Sequence, residues 1–251
     1  MKDSKLYADK ITKVHRALKR GHDKIDPVTH DDPLDAIVQG FIAESVPLKQ
    51  IARSLKRFHE YFVDLNDLRV ARTDEIVEVI EAQEVPGLKT AENLLRVLNT
   101  LFNRQHELTL VELKKLGKRP AKQALEELEG LSPFVQCYCM LTSLQGHAIP
   151  LTDGMIDYLK SEELVYPNAD RHDIEGFLSR QINAKDDYEF YFLLREASET
   201  PASLQTKTPR KKTTKKAAKK SAKKVAKKTT KKKTTKKATS KTAKKTTKKK
   251  T

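Results

Sequence analysis

Apolar residues recur at three- and four-residue spacing through most of the first 200 positions, which predicts helix nearly throughout. Residues 4–19 place Leu6, Ile11, Val14 and Leu18 on one face, and Gly21 ends the run. His22 to Asp32 is a polar loop containing proline. Asp32 then stands where a helix N-cap belongs and Pro33 where a first helical residue belongs, ahead of Leu34, Ile37, Val38, Phe41 and Ile42. Residues 47–62 give a third helix through Leu48, Ile51, Leu55, Phe58 and Phe62. Thr73 is placed to cap a fourth, with Ile76, Val77, Val79 and Ile80 apolar. A Pro86-Gly87 turn predicts a break before a fifth, from about Thr90 to Asn103, and a short helix at 108–116 starts near Thr109. No stretch alternates with period two for long, so the expected fold is all-α.

A more specific signal lies between residues 121 and 144. Helix at 121–128 is interrupted by Leu128-Glu129-Gly130-Leu131-Ser132-Pro133 and resumes through Val135, Cys137, Met140 and Leu144. Gly130 permits the left-handed backbone of a tight turn, while Ser132 and Pro133 form a strong N-cap and first helical residue. The unpaired amides of such a helix start, at the positive end of its dipole, favour a phosphate. The plainer alternative is an ordinary corner between two helices.

Charge changes the picture at the C-terminus. The chain carries +16 overall, yet Lys207 to Thr251 alone holds 23 Lys or Arg and no acid, which leaves −7 on residues 1–206. A segment so charged and so poor in apolar residues cannot bury enough surface to fold, so residues 201–251 are expected to form a disordered tail. Its lysines come as doublets every four residues, at Lys211, Lys212, Lys215, Lys216, Lys219, Lys220, Lys223 and Lys224 and onward. That period drifts around a helix, which argues for a flexible tether. The natural partner is nucleic acid, through counterion release; a solubility tail and a membrane-surface tether are the weaker alternatives. The tail also resembles those of linker histones. No signal-peptide pattern follows Met1, no apolar run is long enough to span a bilayer, and Cys137 and Cys139 give no disulfide framework. A reducing cytoplasmic, nucleoid-associated location is expected, or a nuclear one in a eukaryote.

Around the hairpin the chain resembles the helix–hairpin–helix DNA glycosylases of the endonuclease III superfamily. Leu128-Glu129-Gly130-Leu131-Ser132 is similar to that family's Leu-x-Gly-hydrophobic-Gly hairpin. Pro33-Leu34-Asp35-Ala36-Ile37-Val38 resembles its opening helix, and Gly87-Leu88-Lys89-Thr90-Ala91-Glu92-Asn93 its Gly-hydrophobic…Lys-Ala-Glu-Asn segment. Ile149 to Ile156 resembles the segment that ends in the catalytic Asp, and residues 171–196 resemble the closing helices. The resemblance spans about residues 5–199. It implies a two-lobed helical domain over 1–200, with one lobe at about 30–135 and the other made of 1–29 and 136–200. It also implies a monomer that binds double-stranded DNA through Gly130, Leu131, Ser132 and Lys89, assisted by the tail.

The same resemblance makes Asp153 the candidate catalytic carboxylate, able to stabilise an oxocarbenium-like sugar and orient a nucleophile. The plain reading is that Asp153 caps a helix starting at Gly154. Bifunctional relatives carry a nucleophilic Lys just past the hairpin; here that position is Phe134, which implies no Lys-dependent strand cleavage. Lys122 gives no obvious substitute. Ser132 replaces the second hairpin glycine, Glu44 stands in the family's Gln-containing segment, and the four-cysteine iron–sulfur motif is absent, so no cofactor is implied.

Other groupings are weaker. His22, Asp23, Asp26, His30, Asp31 and Asp32 crowd one loop, but their spacing fits no metal template and loop acids ordinarily solvate and cap. Cys137 and Cys139 lie about 200° apart on a helix, which favours core packing over a shared metal. Tyr188, Phe190, Tyr191 and Phe192 fit a packed closing helix, with base stacking as the alternative. Three functions follow: a monofunctional DNA glycosylase, an inactive DNA-binding scaffold, or a protein-binding body delivered to nucleic acid by its tail.

Overall fold

The computed structural model describes residues 4–200. Among them lie α1 (Ser4–Lys19), α2 (Pro33–Ser45), α3 (Leu48–Tyr61), α4 (Leu65–Val70), α5 (Thr73–Ile80) and α6 (Glu84–Gln105). Then come α7 (Lys118–Glu126), α8 (Pro133–Thr142), α9 (Asp153–Ser161), α10 (Arg171–Gln181) and α11 (Asp187–Glu199). Two 3-10 turns, Val111–Lys115 and Ala184–Asp186, complete the set, and the described residues contain no strand. The lysine-rich tail lies outside the described residues.

The hub is α2, which buries Leu34, Ala36, Ile37, Val38, Phe41, Ile42 and Ala43 and so is apolar on nearly every face. Such a helix belongs in the middle of a core, and α2 packs against α8, α6 and α3. Gly40 lets α8 close on it: a Cβ there would lie 3.2 Å from Val135 Cγ1 and 3.3 Å from Tyr138 Cδ1. In a second group α1 packs on α10 and α11, and α9 packs on α11. The helix α11 also touches α3 and α8, which joins the two groups.

That junction is fixed by Arg195, only 2% exposed on α11. Its guanidinium donates to the carbonyls of Ala43 (2.5 Å) and Val46 (2.7 Å), to Tyr191 Oη (3.0 Å) and to Glu199 (2.8 Å). Glu199 in turn accepts from the Leu48 amide at 2.7 Å. A cation thus meets the C-terminal carbonyls of α2 and an anion the N-terminus of α3, each matched to its helix dipole.

Asp32 caps α2 as expected, accepting from Leu34 N at 2.8 Å, with Pro33 in the first turn. It also accepts from Thr109 Oγ1 and from Leu110 N (2.9 Å), so 109–110 is drawn into a cap and the predicted helix at 108–116 becomes the 3-10 turn Val111–Lys115. The Pro86-Gly87 break does not occur. Both residues lie inside the first turn of α6, where proline removes no intrahelical hydrogen bond. Thr73 is the first residue of α5 and Arg72 its N-cap, with the Glu75 carboxylate accepting from Arg72 N at 3.2 Å. The short α4 was not predicted: it buries only Leu68 and is nucleated by Asp64, which accepts from Asn66 N and Asp67 N.

Candidate functional site

A cleft of about 540 Å³ opens where the α2–α3 corner, the first turns of α6, the hairpin, and the starts of α9 and α10 converge. Its walls include Glu44, Lys89, Ser132, Asp153, Arg171 and Arg195. Of the residues singled out from sequence, Ser132, Lys89, Glu44 and Asp153 therefore share one cavity.

The hairpin forms one wall. Gly130 adopts φ +98°, and a Cβ there would sit 2.9 Å from the Asn93 carbonyl of α6. Glycine is required both by backbone conformation and by that approach. Gly130 and Leu131 are outside the cleft lining, and Leu131 is half-buried against the core. Ser132 caps α8 as expected, its Oγ accepting from Val135 N at 3.1 Å. The same hydroxyl donates to Glu44 Oε2 at 2.9 Å. Burial pushes the Glu44 carboxyl above the usual glutamate value, and Asp153 pushes the same way; Ser132, Arg171 and Arg195 partly offset this.

Asp153 stands on the opposite wall, its side chain 94% exposed. The plain capping reading is corrected here: Thr152 is the N-cap of α9, its hydroxyl accepting from Met155 N at 3.3 Å, and Asp153 is the first helical residue. The carboxylate is instead held by Arg171, whose Nη2 donates to Oδ1 at 2.5 Å while Nη1 donates to the Leu151 carbonyl. Arg171 thus ties the start of α10 to the segment leading into α9. The sequence reading did not find it, because nothing local connects residues 18 positions apart.

Phe134 is 1% exposed and lies in the core, stacked on Tyr138 at 6.0 Å and tilted against Tyr191 at 6.2 Å. Lys122 lines a second cavity of about 440 Å³ with Cys137, His147, His172 and Glu175, and pairs with Glu126 at 3.6 Å. Arg171 lines both cavities. Lys89 is exposed at the cleft mouth. The tail lysines named as DNA contacts lie outside the described residues.

The remaining groupings are structural. Cys139 is buried with its thiol directed at the Pro33 carbonyl (3.5 Å), and burial pushes both Cys137 and Cys139 up to about 12, so both are thiols at neutral pH. Phe190 and Tyr191 are core residues, with Tyr188 packed against the core. Among the described residues no group of three or more His, Cys, Asp or Glu is arranged to hold a metal, and no helix is long and apolar enough to cross a membrane. In the wall of the second cavity, His147 donates Nε2–H to the Ser179 carbonyl and meets the buried Asp187 carboxylate through Nδ1 at 2.6 Å. Burial opposes the charged ring, but the bonds to Asp187 and Ser179 outweigh it and hold His147 above the ordinary imidazole value.

No family model and no curated protein matches this chain by sequence. Solved structures do match by shape. A complex of Clostridium acetobutylicum 8-oxoguanine glycosylase/lyase with double-stranded DNA containing cytosine opposite 8-oxoguanine superposes with a TM-score of 0.58 and 16% identity, covering 79% of this chain and 71% of that one. A trapped covalent intermediate of endonuclease III with DNA gives 0.53 and 11%, covering 76% and 82%. A thermostable thymine-DNA glycosylase gives 0.54 and 12%, covering 81% and 89%. The chain has the helix–hairpin–helix DNA glycosylase fold.

Proposed function

We propose that the helical body is a DNA-binding module whose cleft excises a base as a monofunctional N-glycosylase, with Asp153 as the catalytic carboxylate. The observation that carries this reading is the convergence of the hairpin helix cap, Lys89 and Asp153 on one cavity large enough for a flipped base. The proteins of like fold described above include ones solved on DNA. In this reading the base rotates into the cleft and the sugar C1′ faces Asp153. The carboxylate stabilises the cationic sugar and helps orient water. Phe134, sealed in the core, offers no amine, so the product is an intact strand with an abasic site.

A second reading keeps DNA binding and drops catalysis. It is favoured by the Asp153–Arg171 pair, which occupies the carboxylate, and by Glu44, whose negative charge stands beside the helix start expected to hold a phosphate. Both readings give the tail, 23 positive charges without an acid, most of the salt-sensitive affinity. The deciding experiment is base release from duplexes carrying alkylated, oxidised, deaminated and mismatched bases, developed with heat and alkali. Strand breaks only after that treatment support the monofunctional enzyme. No release from any substrate, with tight binding that collapses when residues 207–251 are removed, supports the scaffold.

A further inference from the structure

Glu44 differs from the other carboxylates of the cleft, Asp153 and Glu199, in having no ion-pair partner. Asp153 is paired with Arg171, while Arg195 is engaged by Glu199, Tyr191 and two carbonyls. Among the described residues, Glu44 has the Ser132 hydroxyl on Oε2 and no hydrogen bond or ion pair on Oε1. Nor is Oε1 one of the atoms sealed from solvent without a partner. A hydroxyl satisfies lone pairs but cancels no charge. The group that completes this carboxylate therefore combines an N–H donor with a positive charge, giving a charge-assisted bond. A carbonyl edge would set lone pairs against lone pairs.

Resting on the reading of the cleft as a base pocket, we infer that Glu44 is a specificity-determining residue that selects bases made cationic by alkylation of a ring nitrogen. The chemistry agrees with the rest of the site. When the C1′–N bond of such a base breaks, its electron pair neutralises the ring and the base leaves uncharged, so no proton donor is needed. The positive charge passes to the sugar, which faces Asp153, and water adds at C1′ with loss of a proton. A cleft with one carboxylate on each wall would then hold the charge first on the base, at Glu44, and afterwards on the sugar, at Asp153.

The test is competition binding by the full-length protein at fixed salt. It uses duplexes holding 2′-fluoro-7-methylguanine or 2′-fluoroguanine opposite cytosine, where the fluorine prevents departure of the base. Wild type should prefer the cationic duplex by about tenfold or more, and Glu44→Gln should hold the two within about twofold. Glu44→Asp, which keeps the charge, should retain part of the preference and controls for misfolding. Equal binding by wild type, or a preference undiminished in Glu44→Gln, overturns the inference. Because the fluorinated duplexes measure binding alone, failure of base release on ordinary lesions would sink the catalytic reading and leave this one standing. Release without a cationic preference would do the reverse.

Discussion

The two walls of the cleft are built on different principles. The hairpin wall is fixed at backbone groups: Gly130 lies against the Asn93 carbonyl, the Ser132 hydroxyl caps α8, and the buried Arg195 holds the carbonyls of the adjoining α2–α3 corner. The Asp153 wall is held by a side chain at the surface, one Arg171 guanidinium gripping a carboxylate that is almost wholly exposed. Buried, hydrogen-bonded groups are costly to disturb, whereas exposed ion pairs contribute little to stability. The hairpin wall is therefore scaffold and the Asp153 wall is the adjustable part. A carboxylate meant to meet a substrate gains from being where its present partner can be displaced.

This contrast can be broken in order of effect. Arg195→Met should be the most damaging change, because it leaves the Ala43 and Val46 carbonyls without their donor in the core and takes the cation from Glu199. A loss of about 3–5 kcal/mol is expected in denaturant unfolding. Gly130→Ala comes next, since it strains a positive-φ residue and drives a methyl toward the Asn93 carbonyl. About 2–3 kcal/mol is expected, read in the same experiment. If either change proves neutral, the hairpin wall is not the rigid half.

A smaller effect is expected from pH. His147 is held above its ordinary value, so the pair with Asp187 contributes stability that is fully present below the unfolded imidazole value and lost as pH rises through the folded one. The difference in melting temperature between wild type and His147→Gln should be widest near pH 6 and narrow steadily toward pH 8–9. A constant difference would show that the histidine acts by packing alone.

Much of the scaffold was legible in the sequence because its signals are local. Asp32-Pro33 and Ser132-Pro133 announce helix starts wherever they occur, and both do so here. Where local signals failed, a partner distant in the chain or a permissive context decided. Pro86 looked like a break but sits where a helix has no amide to lose, and Asp32 pulled Thr109 and Leu110 into its own cap. The site was legible only in part for the same reason. Ser132 and Asp153 carry short motifs, whereas Arg171 and Arg195 act across 18 and about 150 residues and leave no local trace. In the sequence Glu44 is only a departure within the family's Gln-containing segment. Only the fold reveals it half-buried, tied to the hairpin cap and facing the cleft.

The most direct measurement pairs base release with thermal melting for wild type and Asp153→Asn. Release by wild type, lost by a hundredfold or more in the variant, with stability changed by less than about 1 kcal/mol, is the predicted result. Undiminished release by Asp153→Asn, or a variant that unfolds, would contradict the account, since Asp153 would then be either irrelevant to the chemistry or part of the scaffold.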